Sequence, residues 1–299
     1  MRRLGLLLFL SLLVTAADAK LNVVTTTTDL ESLVKTIGGE GVIVFAVAKG
    51  TQDPHQIEAK PSFMIRFRDA DLTLSQGLEL ESAWLLPLIQ GSRNPKVKPG
   101  SRGFLELGPA LNPIEIPADN ATRADGDVHP GGNPHFQLDP LRLGQAAVLI
   151  AERMGELDTD HKDLYLKNAL DFKKHMEEKT KEWKKRLEKT KIKEVVTYHK
   201  TFSYFLDRFG IQSPLQLEPK PGIPPTASHL ISVIDDIKKR KIKLVLIENF
   251  YEDSVGEKIK TQVADIKINR VPVSVGGEPE IKNNEQLFEK LVRSFEDAK

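Results

Sequence analysis

Residues 158–190 read DTDHKDLYLKNALDFKKHMEEKTKEWKKRLEKT, thirty-three positions without a glycine or a proline. A helix of about 30 residues is ~45 Å long, enough to run the length of a two-domain protein. Leu164, Leu166, Ala169, Leu170, Phe172, Met176, Trp183 and Leu187 supply apolar positions among Lys and Glu. They keep no strict heptad, so a spine between two lobes fits better than a free coiled coil. On either side the sequence alternates short β-branched runs with amphipathic ones.

Before the spine, the stretch LNVVTTTTDLESLVKTIGG at 21–39 reads as a β-branched strand, a cap and an amphipathic helix ending at Gly38-Gly39, and Val42–Val47 and Asp71–Leu74 read as strands. Leu78–Leu88 reads as a helix, and 108–134 as a Pro/Gly/Asn-rich loop. After it, Glu194–Thr197, Leu244–Ile247 and Val271–Val275 read as strands. The helices expected there are His199–Phe209, Thr226–Lys239, 253–265 and 284–297. The fold class is therefore α/β: two lobes, each with a mostly parallel sheet flanked by helices, joined by one long backbone helix. The expected boundaries are 1–19 for a leader, 20–157 for the first lobe, 158–190 for the spine and 191–299 for the second lobe.

The leader, MRRLGLLLFLSLLVTAADA, has two arginines, an apolar run from Leu4 to Val14, and small residues at Ala17 and Ala19. This is the layout of a secretory signal peptide cut after Ala19, and its apolar run is about half of the ~20 residues a spanning helix needs. The chain has no cysteine. That excludes disulfide scaffolds, thiol catalysis and thiolate zinc sites, and no cysteine follows the leader to carry a lipid. A soluble exported protein, most naturally periplasmic, is expected.

Basic and acidic residues number 43 and 42. Without Arg2, Arg3 and Asp18 of the leader the counts are equal, which leaves no footprint for nucleic acid. No Gly-rich phosphate loop is present, so nucleotide binding is disfavoured.

Of seven histidines, His161 and His175 lie on the charged spine and His229 in the first turn of a helix, where none needs a special role. His55, His135 and His199 each sit at a strand end or turn, the first two stiffened by a preceding proline. Ligands of α/β sheets gather beyond the carboxyl ends of strands. Three imidazoles and a carboxylate make a tetrahedral Zn²⁺ shell, whereas Mn²⁺ prefers more oxygen. Glu248 closes a strand and is the leading carboxylate, with Glu278 and Glu280 as competitors. His129 reads as a loop residue that either has no role or captures metal from solvent. A metal shared between the lobes would be enclosed, which is binding geometry rather than that of an open catalytic site.

At these residues the sequence resembles the zinc/manganese substrate-binding proteins of bacterial ABC importers, the cluster A-I or family 9 solute-binding proteins. The resemblance runs through Val23–Asp29, Asp53-Pro-His-Gln-Ile-Glu58, Lys60-Pro-Ser62, Ala70-Asp71-Leu, Asn133-Pro-His-Phe-Gln-Leu-Asp-Pro140, Thr197-Tyr-His199 and Gly222–Leu230. It implies two lobes on a backbone helix and one metal in the cleft, held by His55, His135 and His199. Histidine at the third position goes with zinc in this family. It implies also a membrane permease as partner, and a monomer with no enzymatic activity is expected. Two departures stand out. Many members carry an aspartate in a Gly-Asp-Ser/Thr-Tyr stretch where this chain has Glu280-Ile-Lys-Asn-Asn. The long His/Asp/Glu-rich loop is reduced to Asp125, Asp127 and His129. The fourth ligand thus stays open among Glu248, Glu278, Glu280 and water. A secreted zinc hydrolase using the same histidines is the rival reading, although the chain has no His-Glu-x-x-His helix. A surface adhesin is a third.

Overall fold

The computed structural model describes residues 20–118, 126 and 128–299; the leader, Asp125 and Asp127 lie outside them. The first lobe is built from β1 (Leu21–Thr25), α1 (Thr28–Gly38), β2 (Val42–Ala46), α2 (Pro61–Arg68), β3 (Leu72–Ser75), α3 (Leu85–Ser92) and β4 (Phe104–Glu106). Its strands are all parallel, in the order β2-β1-β3-β4. β3 is buried along its whole length, as expected of an inner strand covered on both faces.

The helices α4 (Pro140–Leu157) and α5 (Lys162–Thr190) form an antiparallel hairpin. Beyond it come β5 (Glu194–Thr197), α6 (Ser203–Phe209), β6 (Gln212–Gln216), α7 (Ala227–Arg240), β7 (Leu244–Glu248), α8 (Ser254–Gln262), β8 (Lys267–Val271) and α9 (Asn284–Glu296). The second sheet is parallel in the order β6-β5-β7-β8. Both sheets aim their carboxyl ends at the cleft between the lobes.

The spine α5 is one unbroken helix of 29 residues. Its buried face is Tyr165, Ala169, Met176, Thr180, Trp183 and Leu187, spaced three, four or seven apart. Leu164 and Leu170, expected in the stripe, are instead about half exposed, at 47% and 48%. Tyr165 takes the buried position because it lies four residues before Ala169. One continuous apolar core runs from Leu21 and Leu74 through α4 and α5 to Phe205, Leu291 and Phe295 of the second lobe. Each sheet packs its other face on separate apolar clusters, around Phe67 and Trp84 in the first lobe and Ile234 and Ile259 in the second.

The lobes are also tied by polar contacts. Asp139 caps α4 by accepting from the Leu141 amide at 2.9 Å, and it is fully buried. Arg208 of α6 donates to both of its oxygens, at 2.9 and 2.7 Å, and Arg142 donates at 2.5 Å. On the far side, Thr28 donates to the Val275 carbonyl and Asn249 to the carbonyls of Gly50 and Gly277. A Cβ on Gly50 would lie 2.2 Å from the Val275 oxygen, so only glycine permits this approach.

Several elements depart from expectation. The helix foreseen at Leu78–Leu88 begins only at Leu85. Upstream, Glu81 captures the amides of Gln76 and Gly77, Glu106 captures that of Leu78, and Leu78 and Glu79 take φ of 54° and 66°. The strand foreseen at Val271–Val275 lies earlier, at Lys267–Val271, because Pro272 cannot donate to the ladder. His199 is extended and precedes its helix, which starts at Ser203 after a 3₁₀ turn. The strand β6 contains Pro214 and was not foreseen; it is tolerated because β6 is an edge.

Candidate metal site

The three candidate histidines converge. The loop after β2 carries His55, the turn before α4 carries His135, and β5 runs directly into His199. Their ring centroids are 5.2 Å apart for His55 and His135, and 5.5 Å for each pair with His199. One nitrogen from each lies within 4.8 Å of the others. A tetrahedral shell with ~2.1 Å bonds has ligand atoms about 3.4 Å apart, which these rings reach by a small inward movement.

Each ring is held by its surroundings. Asp53 Oδ1 accepts from the His55 amide at 3.0 Å and lies 2.7 Å from Nδ1 of the same residue. The buried Trp84 indole donates to the Pro54 carbonyl at 2.8 Å and fixes this loop to the lobe. Nε2 of His55 is left buried and without a partner. His199 Nδ1 is 2.7 Å from Glu218 Oε2, which also accepts from the Gly222 amide at 3.1 Å. A carboxylate on one ring nitrogen fixes the tautomer, points the other nitrogen into the cleft and raises its basicity.

His135 is held through its backbone instead. Its amide donates to Asn133 Oδ1 at 2.9 Å, and Asn133 Nδ2 donates in turn to the Lys200 carbonyl of the second lobe. Both of its ring nitrogens are buried and unpartnered. Burial, with the neighbouring histidines, pushes its pKa well below the usual value, so the ring is neutral and both lone-pair options remain.

Glu248 closes β7 and is completely buried. Neither carboxylate oxygen has a hydrogen-bond partner. Burial pushes its pKa up to about 7 against the opposing pull of the His199 charge. Burial alone would depress His199, but the Glu218 hydrogen bond and charge, with Glu248 and Asp53, hold it above its ordinary value. Orphaned buried nitrogens and oxygens facing one cleft are costly unless something cationic satisfies them. The three histidine nitrogens fit a divalent metal ion, whereas Glu248 is not in the group of donor atoms that lie within 4.8 Å of one another.

Glu278 and Glu280 stand elsewhere. Glu278 pairs with Lys290 of α9 at 2.6 Å, and Glu280 is exposed. His161 faces Asp158, His175 pairs with Glu285, and His229 meets the Gln216 carbonyl; none joins the cluster. His129 does come to it, with its ring 5.4 Å from that of His55. Sequence reasoning missed Asp53 and Glu218 as supports. The first carried a signal in its Asp-Pro-His spacing. Glu218 carried none, because it follows the unforeseen strand β6.

Comparison with known proteins bears on this cleft. The family described as "Zinc-uptake complex component A periplasmic" matches residues 23–298. The chain belongs to this family. Family members are substrate-binding proteins of metal transport, and the two lobes on a backbone helix are their fold. The chain is 25% identical over 233 residues to the zinc-binding lipoprotein AdcA of Streptococcus pneumoniae, covering 78% of this chain and 46% of AdcA. It thus spans about half the length of that relative. It is 24% identical over 271 residues to the manganese ABC transporter substrate-binding lipoprotein PsaA of Streptococcus anginosus, covering 85% and 84%. A crystal structure of ZnuA superposes with a TM-score of 0.77 at 22% identity, covering 92% of this chain and 99% of that one. This zinc-uptake family member therefore has relatives named for zinc and for manganese. Among the described residues no helix is long and apolar enough to cross a membrane.

Proposed function

We propose that this protein captures Zn²⁺ in the interlobe cleft through His55, His135, His199 and Glu248 and delivers it to the membrane permease of an ABC importer. The observation that carries this reading is the convergence of His55, His135 and His199, with buried, unpartnered donor atoms on His55, His135 and Glu248. Three imidazoles to one carboxylate favour zinc, because manganese prefers an oxygen-rich shell. The buried cleft argues against hydrolysis, which needs an open coordination position and a placed acid or base. The reading includes a periplasmic monomer cut after Ala19, with lobes at 20–157 and 191–299 about the spine 158–190. A continuous core and an unkinked spine favour loop adjustment over lobe swinging during capture.

Protons report on this site. In the metal-free protein Glu248, at about 7, and His199, raised, both hold protons at mildly acidic pH. The ion needs them deprotonated, so zinc affinity rises as pH increases through 7, and binding releases protons. Calorimetry at pH 6.5 in buffers of different ionisation enthalpy measures the number released. Glu248→Gln is expected to release fewer protons and bind zinc more weakly. Unchanged release and affinity would remove Glu248 from the ligand set.

A further inference from the structure

A cavity of about 420 Å³ opens beside the cluster, with His129, His135 and His199 in its wall together with Glu115, Ile116 and Pro221. Glu248 is fully buried and forms no part of that wall. An ion arriving by this route meets the imidazoles of the wall before it meets Glu248.

His129 is built into the wall. The Gly132 amide donates to the His129 carbonyl at 2.9 Å, closing a turn, and the Asn133 amide donates to the Ile114 carbonyl at 2.8 Å. Gly132 has φ of 104°, a conformation that glycine supplies at low cost. A side chain on Gly126 would run into the Pro221 carbonyl at 2.1 Å, so this loop of the first lobe rests on the second. The His129 ring is 5.4 Å from that of His55, while the group of nitrogens within 4.8 Å of one another holds the other three histidines and not His129, so His129 has to close in to reach the ion. Nε2 of His129 is buried with no hydrogen-bond partner. A buried imidazole nitrogen without a partner is costly unless something such as a metal ion satisfies it.

We propose that His129 is a fourth nitrogen donor, closing on the ion from the cavity side, and that it sets the preference for zinc over manganese. The proposal rests on the zinc-capture reading above. A fourth imidazole makes the entry-side shell nitrogen-rich, and zinc lies well above manganese in affinity for such donors. Zinc sites are mostly four-coordinate, so His129 and Glu248 share the fourth position, His129 from the entry side and Glu248 from within.

The test compares the parent with His129→Ala and His129→Gln, each metal-stripped and checked for an unchanged thermal unfolding curve. Zinc and manganese affinities are measured by chelator competition, and the cobalt(II) form by its visible absorption. Both variants are expected to lose at least about tenfold in zinc affinity, with manganese changed by less than about threefold and an altered cobalt spectrum. An unchanged zinc affinity and an unchanged spectrum, in a parent that binds one zinc, would overturn the role of His129 alone. Equal losses for both metals would overturn its part in selectivity. A parent that binds no zinc would instead overturn the capture reading itself.

Discussion

His135→Ala is expected to weaken zinc binding by about a hundredfold or more while leaving the metal-free fold intact. Apparent binding energies of full zinc shells run to about 10–16 kcal/mol, so one of four donors contributes about 3 kcal/mol. His135 is the most telling position, because both its ring nitrogens are buried without a partner in the metal-free protein. Truncation therefore removes no internal hydrogen bond of that side chain. It relieves a buried polar ring of its desolvation cost, and the metal-free variant is expected to melt no lower than the parent. Chelator competition together with thermal unfolding checks both halves. Parental zinc affinity would place the ion elsewhere, and a collapsed metal-free fold would make His135 structural.

Asp139→Ala is expected to do the reverse, costing about 3–5 kcal/mol of stability by stranding its partners. Its carboxylate is fully buried, caps α4 and receives Arg208 and Arg142. Removal leaves Arg208 without its carboxylate and Arg142 held only by the Leu111 and Asn112 carbonyls at the joint between the lobes. Urea unfolding is the measurement, and a loss below about 1 kcal/mol would show the joint to be held by the shared core alone. Zinc affinity should fall less than in His135→Ala, since Asp139 orders the turn after His135 without being a donor.

Much of this architecture was legible because it rests on local patterns. The spine is a long run without breakers, and the inner strands are β-branched runs between turns. The parts that were not legible depend on distant partners. Glu81 and Glu106 reach back to capture amides at 76–78, and no periodicity reports that a helix will start late for this reason. Pro214 argues against a strand until the position proves to be an edge. The site divides the same way. His55, His135 and His199 were visible from their places at strand ends and turns. Glu218 was not, since it meets His199 only after β6 pairs with β5. His129 looked like a mobile loop residue, and only the packing of its turn on Leu78 and Pro221 brings it to the cluster.

The central claim is one zinc ion bound between the lobes by these histidines. Isothermal titration of the metal-stripped protein with Zn²⁺, then with Mn²⁺, addresses it most directly. The account predicts a single tight zinc site per chain, with manganese weaker by about a hundredfold or more. No stoichiometric site for either ion, or a tighter site for manganese, would contradict it.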